Sequence, residues 1–330
     1  VTLRSESGDR QRVVIDGVES RHVELVGIRG CEGVTIADLT IQNARWNGFK
    51  LNSNTGVHRV TIYNCVIHNV WQRGIKGVAV TADNREQMRP RDCRVQYCLF
   101  YNDRAKRFSD DPADTPEGFG GNYIGGMDIM YATNWTISDN VFIGIHGRTQ
   151  EARGAVFLWH DSRDCIIERN VIIDCDSGIC LGNSHRKAET ETHCLRCIVR
   201  NNFITRAPES GILAAYTTDC AIVHNTIHDP DSRMNRLIRL VHDNDGLVVA
   251  NNLLSGPPLQ DQSTGIIQIR GNLAKVLTDK LVSVEEGNLH LKERIVPAAD
   301  ACQRLPNALR DFDGELRDRR TDVGADQFVR

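Results

Sequence analysis

VTIADLTI at 34–41, VTIYNCVI at 60–67, CRVQYCLF at 93–100 and WTISDNVF at 135–142 are copies of one phrase, continued as CIIERNVI at 165–172, CIVRNNFI at 197–204, CAIVHNTI at 220–227 and LVVANNLL at 247–254. Each reads as two short strands around a polar turn. Apolar residues take alternate positions, the period-2 signature of a half-buried strand. A second phrase follows each copy and starts at Gly or a similar break. Its copies are GFKLN at 48–52, GIKGV at 74–78, GMDIM at 126–130, AVFLW at 155–159, GICLG at 178–182, GILAA at 211–215, LIRLV at 237–241 and GIIQI at 265–269. The chain therefore repeats three short strands at intervals of about 23 to 42 residues. The differences in length fall in loops, as repeat architectures allow.

Two aligned columns point the same way. Asn140, Asn170, Asn202, Asn225 and Asn252 share one turn position, where stacked amides can hydrogen-bond along a solenoid axis. Cys93, Cys165, Cys197 and Cys220 share another with Val34, Val60 and Trp135, which reads as an interior apolar stack. With no helical segment between the strands, an all-β fold is predicted: a single-stranded parallel β-helix with three strands per coil. It is expected over residues 1–280, with 281–330 as a final coil and covering tail of the same domain.

The repeats resemble the right-handed parallel β-helix superfamily, which includes pectate lyases, other polysaccharide lyases and many bacterial carbohydrate-active proteins. The resemblance covers about residues 1–275. The stretch NLHLKERIVPAADACQ…DFDGELR…DVGADQF at 288–328 is similar to the closing segment of many secreted bacterial members. The resemblance implies a right-handed coil, an extracellular or periplasmic location and action on an acidic, uronate-containing polysaccharide.

Composition narrows the alternatives. The net charge of −3, with His neutral, argues against broad nucleic-acid binding, which needs a basic surface. No run of about 18 apolar residues occurs, so no membrane span is expected. The opening VTLRSESGDRQRVVIDG reads as strand and turn rather than as a signal peptide. The 11 Cys are odd in number and mostly occupy repeat positions, so they read as buried free thiols. Cys194 and Cys197 form a CxxC without a second pair at zinc spacing.

Chemistry is expected on outward positions of the second phrase. That column reads Lys50, Lys76, Asp128, Phe157, Cys180, Leu213, Arg239 and Gln268. Coils about 4.8 Å apart would stack two lysines beside a carboxylate. That is either a charge ladder in solvent or a way of lowering a lysine pKa toward that of a general base. A neighbouring column, Tyr131, His160, Asn183, Tyr216 and His242, suggests a saccharide groove, because sugar rings stack on aromatic faces. Trp159 and Asp161 flank His160, and His185 and Arg186 follow Asn183. Trp71 and Arg73 precede Lys76. The long loop 101–125 offers Arg104, Lys106 and Arg107 for carboxylates and Asp110, Asp111 and Asp114 for Ca2+. The loop at 145–154 adds His146, Arg148, Glu151 and Arg153.

Three functions fit these residues. A polysaccharide lyase would use Lys76 or Lys50 as base and His160 or a Tyr as acid. Its substrate carboxylate would be neutralised by Arg104, Arg107 or Arg153, or by Ca2+ on Asp128, Asp161 and loop acids. A glycoside hydrolase would pair Asp128 with Asp161 or Glu151. A binding protein without catalysis would use Trp71, Arg73, Trp159, Asn183, His185 and His242 as contacts only.

Overall fold

The computed structural model describes residues 1–206 and 208–328. Three long parallel sheets wind into a β-helix. The first and second have ten strands each and the third has eleven. In the second full coil, Thr35–Ala37 lies in the first sheet, Thr40–Ala44 in the second and Asn47–His58 in the third. The in-register neighbours of Ile36 are Leu3 on one side and Ile62 on the other, so the period-2 pattern becomes vertical stacks of like side chains. Those stacks form one continuous core, including Ile36, Ile62, Val95, Ile137, Ile167, Val199, Ile222 and Val249.

The corner between the first and second sheets explains the Asn column. The residue before it adopts a left-handed conformation in coil after coil, with φ of 59° at Asp139, 50° at Arg169, 52° at Asn201 and 53° at His224. This turns the next side chain inward. Asn170 Nδ2 then donates to Asn202 Oδ1 at 3.0 Å, and Asn202 Nδ2 to Asn225 Oδ1 at 2.9 Å. Each amide oxygen also accepts a backbone N–H from the coil before it, as Asn202 Oδ1 does from Asn170 N at 3.0 Å. In the first coils Leu39, Cys65 and Cys98 occupy the same position, and the amide ladder begins where Asn140 Oδ1 caps the N–H of Cys98.

The glycines that open the third-sheet strands also have a steric cause. A Cβ at Gly126 would lie 2.4 Å from the carbonyl oxygen of Ala155, and one at Gly178 would lie 2.2 Å from that of Gly211. Coils stack too closely there for any side chain. The Cys column is interior as expected. All 11 Cys are free, and all but Cys31 are buried. Cys194 and Cys197 bond backbone carbonyls, the latter reaching Ser162 O, and burial pushes the Cys93 thiol up to about 12. Of the CxxC, Cys197 stands in the interior column between Cys165 and Cys220, while Cys194 lies in the same coil between Ser162 and Thr217.

Two expectations need correction. Residues 265–269 do not form a third-sheet strand: Gln260–Ser263 does, and Gln268–Arg270 returns to the first sheet. Gln260, not Gln268, stands beside Arg239. The sequence QDQS has no apolar alternation because this strand lies near the solenoid's end with little core to face. Residues 281–328, in turn, add no further coil. They form the antiparallel pairs Leu281–Ser283 with Asn288–Leu291 and Cys302–Gln303 with Arg320–Thr321. The tail lies against the outer faces of the first two sheets. Leu281, Leu289 and Phe312 pack on Phe203, Leu253 and Val171, while Ala308 packs on Ala221, Val223 and Ala250. Outward apolar side chains on those sheets would otherwise face water.

Candidate functional site

The third sheet carries the expected columns on its outer face. Its register places Gly27, Lys50, Lys76, Asp128, Phe157, Cys180, Leu213 and Arg239 side by side. The lysines do not confront each other without partners. Lys50 Nζ lies 3.4 Å from Glu24, and Lys76 Nζ lies 2.7 Å from Asp128 Oδ2. The same oxygen takes the Nε of Arg73 at 2.9 Å, and the other takes Trp159 Nε1 at 2.9 Å. Arg73 is 1% exposed and its guanidinium lies over the ring of Tyr123, 4.0 Å from the centroid. Burial alone would raise the Asp128 carboxyl. Attraction to Lys76 and then Arg73, with hydrogen bonds from both, outweighs it and holds the group below the usual carboxylate range. Two cations on one carboxylate leave one positive charge at this point of the face.

The aromatic column is real, with one substitution. Tyr131, His160, Tyr216 and His242 all take left-handed φ, at 58°, 50°, 56° and 62°. This lifts them from the strand ends onto one line. Asn183 is not in it, because Gly182 takes the left-handed turn, with φ 83°, and an insertion follows. His193, at the far end of that insertion, fills the gap. Ring centroids step 6.0 Å from Tyr131 to His160, 5.3 Å to His193, 5.7 Å to Tyr216 and 4.6 Å to His242. Trp159 stacks on His160 at 3.9 Å. His193 had a signal in the sequence: it immediately precedes Cys194, as Tyr216 immediately precedes Thr217, the in-register neighbour of Cys194. The insertion length hid it.

The two central imidazoles are neutral. Burial lowers His160 to about 4, aided by Lys187, and lowers His193 to about 4, aided by His160. His193 Nδ1 accepts the backbone N–H of His160 at 3.2 Å, so its hydrogen is on Nε2. Nδ1 of His160 is buried without a hydrogen-bond partner among the described residues, while His193 has the backbone of His185 and Asn183 beside it. An unpaired buried polar atom costs about 1–3 kcal/mol, so such atoms mark places that take an outside partner. Neutral, His160 carries one N–H and one lone pair, which suits it to taking a proton rather than to the acid role expected of it.

The remaining candidates divide by position. Trp71 is buried under Arg104, whose guanidinium lies 4.3 Å from its ring centroid and holds both oxygens of Asp110 at 2.7 Å. Lys106 is buried between Asp111 at 2.9 Å and Asp114 at 3.0 Å. Loop 101–125 is thus a folded strut locked by its own ion pairs. Arg107 is exposed on it, Arg153 is half-buried beside Cys180, and His185 is exposed on the insertion that covers His193. Asp161 is taken by Arg89 and Arg163. A calcium ion does not fit these acids. Ca2+ needs about six to eight oxygens free to face it, and Asp110, Asp111, Asp114, Asp128 and Asp161 all face cations.

His146 serves the scaffold. Its Nδ1 lies 2.6 Å from Asp176 and its Nε2 3.5 Å from Asp174. Burial would lower it, but hydrogen bonds and charge from Asp174 and Asp176 raise it to about 9. A folded value above the unfolded one near 6.5 means a stabilising contribution that is complete below about pH 6.5 and fades as pH climbs through about 9. We predict that the His146 imidazole resonances titrate near pH 9 in the folded protein. A midpoint near 6.5 would show the ring unpaired.

Within the described residues, no helix is long and apolar enough to cross a membrane. No curated protein matches the sequence. Among solved structures, one described as the complex structure of XylC with xylose superposes with a TM-score of 0.54 at 11% identity, covering 91% of this chain and 66% of that one. A structure described as a glycoside hydrolase aligns with a TM-score of 0.41 at 10% identity, covering 80% of this chain and 40% of that one. At such identities the first likeness speaks to fold alone, and this chain spans less than two thirds of either protein. The right-handed β-helix region matches residues 24–254, most of the sheet-forming chain, and with the three stacked parallel sheets this places the protein in the right-handed β-helix family.

Proposed function

We propose that the outer face of the third sheet is the groove of a carbohydrate-active enzyme, and that it cleaves a uronate-containing polysaccharide by β-elimination. The observation that carries this reading is the Arg73–Asp128–Lys76 cluster, with one excess positive charge, set beside the line Trp159, His160, His193, Tyr216 and His242. Trp159, Tyr216 and His242 are half-buried, and each offers part of a ring for a pyranose to stack on. Lys76, with 12% of its side chain exposed, is the cation a uronate carboxylate would meet. His160, held neutral, would take the proton α to that carboxylate. Tyr131, whose ring lies 6.0 Å from that of His160, would protonate the leaving oxygen with its phenol. Lys50, tied to Glu24, would contact a neighbouring sugar. Paired-carboxylate hydrolysis is less favoured here, because Asp128 and Asp161 are bound to cations and Asp128 is held ionised rather than protonated.

The test is the ultraviolet absorbance of the unsaturated uronate product across a panel of acidic polysaccharides. Turnover is expected on at least one. His160→Gln should lower kcat by roughly 10²–10⁴-fold, and Lys76→Ala should act mainly by raising KM. New reducing ends without absorbance would replace elimination with hydrolysis. Tight binding without either product would leave a carbohydrate-binding protein.

A further inference from the structure

Far from that face, the tail brings together His290 on strand Asn288–Leu291, Asp313 in a turn and Asp326 near the end of the described chain. They meet where Phe312 stacks on Phe203 of the second sheet at 4.0 Å and His290 sets its edge on Phe203 at 4.8 Å. One donor atom from each of the three lies within 4.8 Å of the other two. The imidazole is oriented for ligation. Its Nδ1 is 2.6 Å from Asn288 Oδ1, which can only accept, so Nδ1 carries a hydrogen. Its Nε2 lies 3.0 Å from Asp313 Oδ2 and donates to it, and a bound metal ion would take the place of that hydrogen. A histidine fixed through its second nitrogen by an amide oxygen has the arrangement that outer partners give to metal ligands. His146 lacks it, because each of its nitrogens has its own carboxylate.

Asp326 is half-buried and forms no hydrogen bond among the described residues, so its carboxylate is free to turn toward His290 and Asp313.

We propose that His290, Asp313 and Asp326 bind one divalent transition-metal ion that clamps the C-terminal tail to the second sheet. One imidazole and two carboxylates, with water completing the shell, suit a zinc-class ion and offer too few oxygens for Ca2+. Ligand distances of about 2.0–2.2 Å would need only side-chain adjustment from the present separations. The proposal is independent of the groove.

It is tested on the full chain by calorimetric titration with Zn2+, by thermal unfolding with and without Zn2+, and by Co2+ absorption. One ion per chain, a rise in unfolding midpoint of at least about 3 °C and a Co2+ spectrum without thiolate charge transfer are expected. His290→Ala should abolish the rise. Asp326→Asn keeps the size of a side chain that makes no hydrogen bond among the described residues, so it should fold about as stably as the parent without metal and yet bind Zn2+ at least tenfold more weakly. No binding by the parent chain, a thiolate band, or a Zn2+ response unchanged in both variants would overturn the assignment.

Discussion

Asn202→Ala is expected to lower unfolding stability by roughly 3–5 kcal/mol. The residue is fully buried. Its Oδ1 accepts the backbone N–H and side-chain amide of Asn170, both at 3.0 Å. Its Nδ2 donates to Ile167 O at 3.0 Å, Arg200 O at 2.9 Å and Asn225 Oδ1 at 2.9 Å. Alanine fills none of these roles, and it strands the Asn170 N–H in a dry corner. Since each coil leans on its neighbours, the loss spreads to adjacent coils rather than staying local. Urea unfolding measures it, with the exposed Asn54→Ala as the reference expected within about 0.5 kcal/mol of the parent. A loss under about 1 kcal/mol at Asn202 would mean that the ladder is replaceable, for instance by water.

Asp128→Ala should cost about 3–5 kcal/mol and remove activity as well. Arg73 is 1% exposed, and Asp128 is the carboxylate that both it and Lys76 face. Removing one partner of a buried ion cluster leaves the others charged and desolvated, which costs more than the cluster contributes when whole. The sign of the pH dependence follows from the depressed carboxyl. Its folded pKa lies below the unfolded value, so its contribution is complete above about pH 4 and is lost as pH falls through the folded value. The stability gap between the parent and Asp128→Ala should therefore be constant near neutrality and should narrow in acid below about pH 4. A gap that stays flat to the lowest pH at which the protein is folded would mean that Asp128 is not ionised in the native state. On the activity side, loss of turnover at a temperature where the variant is still folded distinguishes the groove from mere unfolding.

The two residues differ in how far the sequence revealed them. The Asn ladder was legible because it obeys the repeat: an in-register solenoid turns equal sequence position into equal height on the coil. The same logic read the Cys column as interior and placed Lys50, Lys76 and Asp128 side by side. It failed where the repeat fades. The strand Gln260–Ser263 has almost no core to face and hence no alternation, and the tail is held by lateral packing on Phe203, Val171 and Leu253, which no period encodes. His193 was hidden by an insertion that shifts position without shifting place.

Fold class, the three-strand coil, the amide ladder and the outward columns were thus determined by the sequence itself, because alternation and repetition are local and survive being written in one dimension. Tertiary structure alone decided which charges neutralise which. Lys76 and Arg73 find Asp128 across 52 and 55 residues, Lys106 is swallowed between loop acids, and His160 loses its proton to burial. Charge pairing and desolvation depend on distance and on exclusion of water, and both are set only when distant coils and loops close around the same point.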